Sequence, residues 1–91
     1  MKNITKIKKM NITVKQFANN CFEIESNEGN MLRHYDSNIV FIPRDENIIY
    51  MGKDYKYSTT TSKFRNRFLN MTTKEIEEGI KDGSIIIDNS L

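Results

Sequence analysis

At 91 residues the chain is the size of one small domain, read as a single unit over 1–91, and such a domain buries only about 60% of the surface its unfolded form exposes. No run approaches the ~20 apolar residues of a transmembrane helix, and the basic start is not followed by the apolar stretch of a signal peptide. The formal net charge of +2 argues against an acidic mimic of nucleic acid, and one cysteine, Cys21, excludes an intramolecular disulfide.

The small net charge hides an uneven distribution. Lys2, Lys6, Lys8, Lys9 and Lys15 stand in the first stretch without an acid among them. Lys53, Lys56, Lys63, Arg65 and Arg67 form a second basic segment, whereas Glu75, Glu77, Glu78, Asp82 and Asp88 make the C-terminal end acidic. Such asymmetry marks either a solvated surface or a face for nucleic acid or an acidic protein.

In chain order, Ile4, Ile7, Val14 and Ala18 suit one helical face, while Met10, Ile12 and Val14 alternate as a strand does. The β-branched content predicts a strand near 10–16, preceded by a loosely ordered terminus over 1–9. Asn19-Asn20 breaks it. Phe22 to Glu25 alternates apolar and acidic, Asn27-Glu28-Gly29-Asn30 has hairpin chemistry, and Met31 to Tyr35 is the return strand. After a bend at Asp36-Ser37-Asn38, the continuous apolar run Ile39-Val40-Phe41-Ile42 predicts a central strand covered on both faces. Pro43 to Glu46 turns the chain, 47–51 is the next strand, Gly52-Lys53-Asp54 turns again, and Tyr55-Lys56-Tyr57 is expected to close the sheet.

Five consecutive hydroxyl residues, Ser58 to Ser62, then lead into a helix that reaches about Asn70. Hydroxyls compete for nearby backbone groups and favour helix starts, so Thr60, Thr61 and Ser62 are the candidate N-caps. Phe64 and Phe68 share one face and are expected to meet Ile39, Phe41 or their opposite-face neighbours, while Lys63 and Arg67 share another, flanked by Arg65. Thr72-Thr73-Lys74-Glu75 fits a capping box for a second, short helix ending at Gly83. Ile85-Ile86-Ile87 is a last strand or an apolar tail. The sum is an α+β domain: an antiparallel meander of four or five strands with one or two C-terminal helices on one face.

Chemistry-bearing patterns are few. His34 is the lone histidine, and Asp36, two residues on, points the same way on a strand, as an orienting carboxylate does for a base. No nucleophile or oxyanion donor set accompanies them. One histidine and one cysteine far apart make no zinc site, and no glycine-rich phosphate loop is present, so no metal, cofactor or enzyme activity is expected. Cys21 reads as a small buried hydrophobe in a reducing, cytoplasmic setting. The candidate interaction surface is Tyr50, Lys53, Tyr55, Lys56 and Tyr57 together with Lys63, Arg65 and Arg67. Aromatic faces stack on bases or anchor protein partners, and the cations neutralise phosphate or carboxylate. The plainer alternative is a packed sheet rim with solvated charges.

The segment Tyr57-Ser58-Thr59-Thr60-Thr61-Ser62-Lys63 resembles a Tyr-Ser-x-Thr-Thr-Ser-Lys signature of small phage and mobile-element proteins. Tyr35-Asp36-Ser37, the run Ile39 to Ile42 and Ile49-Tyr50 resemble the pattern upstream of that signature, so the likeness covers roughly 34–69. The chain departs from it at Phe64-Arg65, where His-Gln is usual, and at His34, where a serine is usual. The resemblance implies a phage-derived origin and action in the host cytosol. From that origin follows the expectation of a non-enzymatic, anti-CRISPR-like inhibitor that binds a host defence effector protein or ribonucleoprotein. The alternative is a small nucleic-acid-binding accessory protein of phage replication or transcription. Edge-strand pairing into a homodimer is left open.

Overall fold

The computed structural model describes residues 12–91; the terminus over 1–9 expected to be loose lies outside the described residues. Six strands and two helices follow in order: β1 (Thr13–Ala18), β2 (Cys21–Ser26), β3 (Gly29–His34), β4 (Ser37–Pro43), β5 (Ile49–Met51), α1 (Thr59–Leu69), α2 (Thr73–Asp82) and β6 (Ile85–Ile87). The strands form one sheet in sequence order, antiparallel from β1 to β5 and parallel between β5 and β6. The molecule is thus an α+β domain with a mostly antiparallel meander and two C-terminal helices.

Turn chemistry sets this topology. Asn20 takes a φ of 56° in the β1–β2 turn, a conformation asparagine tolerates better than most side chains. Gly29 opens β3 at a φ of 150°, and a Cβ there would run into the carbonyl oxygen of Ile42. The strand pair β5–β6 is parallel because the chain between them passes through both helices, the long crossover that parallel strands require.

Several expectations are corrected here. Tyr55-Lys56-Tyr57 is not a strand. The place beside β5 opposite β4 is taken by β6, and the tyrosine segment instead coils in successive turns, with Tyr55 N–H donating to Gly52 O and Tyr57 N–H to Asp54 O. The N-cap of α1 is Ser58, ahead of the three candidates. Ser58 is extended and its hydroxyl accepts from Thr61 N–H at 3.1 Å. The sheet has six strands rather than four or five, β1 runs on to Ala18, Tyr35 lies in the turn after β3, and β5 is shorter than 47–51; the helix ends fall where expected. Asn70 closes α1 in the left-handed conformation, Thr72 and Glu75 form the reciprocal capping box of α2, and Gly83 ends it at a φ of 87°.

The core lies between the sheet and the helices: Cys21, Leu32, Ile39, Val40, Met51, Tyr55, Ile76 and Ile85 are buried. Burial pushes the Cys21 thiol up, against a smaller opposing pull from Arg67. Leu32, Val40 and Met51 are register neighbours on the helix side. On the other side the register aligns Val14, Ile24, Met31, Phe41, Tyr50 and Ile86 in one row across all six strands. No described element covers that row, and Phe41 is only half-buried, so the apolar run of β4 is enclosed on one face rather than both. The rings of Phe64 and Phe68 are also half-buried and meet Phe17 of β1 edge-on, at 6.4 and 6.0 Å between centroids.

Gly52 joins the sheet to the site. Its N–H donates to Ile39 O at 2.9 Å, and a Cβ would collide with the Asn38 carbonyl oxygen. Gly52→Ala is expected to cost at least about 1–3 kcal/mol because backbone, not a flexible side chain, must move. Ile76→Ala, which empties the fully buried anchor of α2, should cost about 2–5 kcal/mol. Urea unfolding of both variants checks the packing; midpoints unchanged from the parent protein would contradict it.

Candidate functional site

The site begins with how α1 meets the sheet. Its two buried residues are Thr61 and Arg65, one turn apart and both polar. Thr61 Oγ1 lies 2.9 Å from His34 Nδ1 and 3.0 Å from Ser58 Oγ, while Ser58 Oγ also accepts from Thr61 N–H. Each hydroxyl has one proton. When His34 Nδ1 accepts, Thr61 donates to it and receives from Ser58; when Nδ1 carries hydrogen, the direction reverses. Either way the helix cap, the first helical turn and the end of β3 are one hydrogen-bonded unit. The His34 ring is further held edge-on to Phe64 at 5.3 Å and against Tyr35 at 4.7 Å.

Beside this unit opens a cavity of about 540 Å³, within the ~300–1,000 Å³ range of small-ligand pockets. Its floor includes His34, Ile39 and Thr61, and its rim carries Tyr35, Asp36, Asp54 and Tyr57. Tyr35 is 65% exposed and Tyr57 79%. Ser37 donates to Asp54 Oδ2 at 2.8 Å, which ties the β3–β4 turn to the β5–α1 loop and orients the carboxylate. Tyr35 holds a φ of 53° at the first position of a two-residue hairpin, where glycine is the usual occupant, and its N–H donates to Asn20 O at 2.8 Å. The pairing of His34 with Asp36 does not form. The imidazole Nδ1 is directed at Thr61, and Asp36 sits in the turn after the strand ends.

The aromatic–basic surface expected from the sequence is only partly assembled. Arg65 is 1% exposed and is a structural residue. Its Nη1 donates to Tyr55 O at 2.7 Å, its Nε and Nη2 donate to Asn66 Oδ1 at 3.1 and 2.9 Å, and Nη2 reaches Thr73 Oγ1 at 3.4 Å. Burial lowers its pKa from the ordinary arginine value, with Tyr55 and Glu77 pulling the other way. Tyr55 is buried with it, its ring 5.5 Å from the guanidinium carbon. Tyr50 belongs to the far side of the sheet, paired with Phe41, and its hydroxyl donates to Glu46 at 2.8 Å, a bond that raises its pKa. Arg67 is exposed yet engaged, its guanidinium 4.5 Å from the Phe17 ring and donating to Phe17 O at 3.0 Å. Lys53, Lys56, Tyr57 and Lys63 remain exposed, and of these Tyr57 lines the cavity.

Sequence reading missed Tyr35, Asp54 and the His34–Thr61–Ser58 unit as one place. A signal was present: Tyr35-Asp36-Ser37 and Tyr57-Ser58, two of the motif segments singled out in the sequence, line this one end of the molecule. Among the described residues no three histidine, cysteine or acidic side chains are grouped to hold a metal ion.

Comparison with known proteins places the chain in a family. It belongs to a family of unknown function, DUF8033, whose model matches residues 5–85. No curated protein and no solved structure matches it.

The split between buried and surface cations is testable. Arg65→Met leaves the Tyr55 carbonyl and the Asn66 side chain without their donor, so it is expected to cost about 1–3 kcal/mol. Lys63→Ala, at an exposed position, should stay within about 0.5 kcal/mol. Equal effects of the two in thermal unfolding would contradict the assignment.

Proposed function

We propose that the chain is a non-enzymatic binding domain that docks one partner protein at the cavity between Tyr35 and Tyr57, acting as a stoichiometric, anti-CRISPR-like inhibitor of a host defence effector. The observation that carries the binding reading is the convergence of two exposed tyrosines on one cavity, 65% and 79% exposed, since aromatic side chains at a pocket rim are the usual anchors of protein interfaces. The polar groups around it are occupied in holding the fold. His34 is tied to Thr61, Ser58 caps the helix, and Ser37 is bound to Asp54. The defence-effector part rests on the resemblance to phage and mobile-element proteins, and action in the host cytosol follows from the same origin.

The nucleic-acid alternative draws on the exposed Lys53, Lys56 and Lys63. Against it, Asp36 and Asp54 line the cavity and repel phosphate.

The two readings separate in one experiment. Tagged protein is incubated with host lysate with and without nuclease, and retained complexes are weighed by native mass spectrometry. The expected outcome is a defence-effector complex of fixed stoichiometry that survives nuclease, is lost with Tyr57→Ala, and persists in a Lys53→Glu/Lys56→Glu variant. Partners that disappear with the nucleic acid and with the lysine changes, but not with Tyr57→Ala, would replace the inhibitor reading with the nucleic-acid one.

A further inference from the structure

We infer that the cavity receives the cationic end of an arginine or lysine side chain presented by the partner protein; this rests on the binding reading above and names what the site recognises. Among the described residues, no lysine or arginine lines the cavity. Instead its polar lining offers the two carboxylates of Asp36 and Asp54, while Ser37, Thr61 and His34 are engaged within the fold. Two tyrosine rings complete the rim. A cation gains from the negative face of an aromatic ring and from a carboxylate together, and more so where water is excluded. An anion gains from neither, and Lys53, next to Asp54 in sequence, lines the adjoining pocket that shares Asp36 and Asp54 rather than this cavity.

Two further features suit such a ligand. The Asp54 carboxylate is held at Oδ2 by Ser37, so it is oriented before anything binds. Pre-organised acceptors lose less on binding than mobile ones. The ring of Tyr35 is mostly solvent-exposed while its backbone occupies the left-handed region, so the fold gains little apolar burial from a tyrosine at a place where glycine costs less. Beyond its contact with the His34 ring, most of the Tyr35 ring is open to a partner. The cavity of about 540 Å³ has room for one long side chain with part of its flanking backbone.

The test is a ¹H–¹⁵N NMR titration of the full chain with a blocked Gly-Arg-Gly peptide, beside matched peptides carrying lysine, citrulline or glutamate at the centre, free arginine, and inorganic phosphate. The arginine and lysine peptides are expected to shift the amides of Tyr35, Asp36, Asp54 and Tyr57 at millimolar concentration. Citrulline, which keeps the shape and loses the charge, should bind about tenfold more weakly. Asp54→Asn preserves the acceptor for Ser37 and should weaken the arginine peptide by a similar factor. Tyr35→Gly should weaken it about two- to fivefold while leaving the melting temperature equal or higher, an outcome that a merely structural tyrosine would not give. Citrulline or glutamate binding as well as arginine, shifts induced by phosphate instead, or free arginine matching the peptide would each overturn the inference. If these peptides fail while the nuclease-resistant complex is still lost with Tyr57→Ala, docking at the cavity stands and only the basic-side-chain assignment falls. If the complex itself is absent, the binding reading falls whatever the peptides do.

Discussion

Helix α1 is docked by polar atoms, and the rest of the structure depends on that constraint. Most helices on a sheet bury an apolar stripe. Here the residues of α1 that are fully buried are Thr61 and Arg65, while Phe64, Phe68 and Leu69 are half-buried at the margin. A buried hydroxyl or guanidinium without partners costs more than its bonds return. Each is therefore fully engaged: Thr61 with His34 and Ser58, Arg65 with Tyr55, Asn66 and Thr73. Among the described residues no buried side-chain nitrogen or oxygen lacks a partner. Hydrogen bonds are directional where apolar contacts are not, so this arrangement fixes the azimuth of the helix as well as its distance from the sheet.

That fixed azimuth shapes the cavity. Thr61 anchors the start of α1 to the last residue of β3, so the β3–β4 turn and the β5–α1 loop are brought to one end of the molecule. The Ser37–Asp54 bond joins them a second time. Arg65 does the same one turn further, gathering the Tyr55 carbonyl and the start of α2 onto one side chain. The tyrosines on either side then have different fates. Tyr55 is consumed by the core, while Tyr35 and Tyr57 are left on the rim.

The fold was largely legible in the sequence because its signals are local. The turns at Asn19-Asn20 and Asn27-Glu28, the apolar run of β4, the capping box of α2 and the glycine at its end each act within a few residues. What misled were non-local choices. Tyr55 and Tyr57 alternate like a strand, yet the place beside β5 goes to Ile85–Ile87, more than twenty residues later. Arg65 looks like one of a row of surface cations, and no local pattern distinguishes it from Lys63; only the neutral acceptors gathered around it do. No local pattern singles out Ser58 as the cap, because five hydroxyls in a row all have the right chemistry, and the choice among them is made by the chain's turn before the helix. The candidate site was half legible. The motif segments were visible, but their convergence depends on the hydrogen bond between Thr61 and His34, 27 positions apart. Membership in DUF8033 extends across nearly the whole described domain, from 5 to 85, and so includes every residue of this buried polar contact.

The most direct test of the account is the urea unfolding curve of Thr61→Val, which keeps the shape of the side chain and removes its hydroxyl. With buried His34 Nδ1 left without its hydroxyl partner, and Ser58 Oγ keeping only the backbone N–H of residue 61, the account predicts a loss of about 1–3 kcal/mol at an unchanged slope. A midpoint equal to or above that of the parent protein would contradict it. The helix would then be held by its half-buried apolar margin, and the polar contact would be a consequence of the docking rather than its cause.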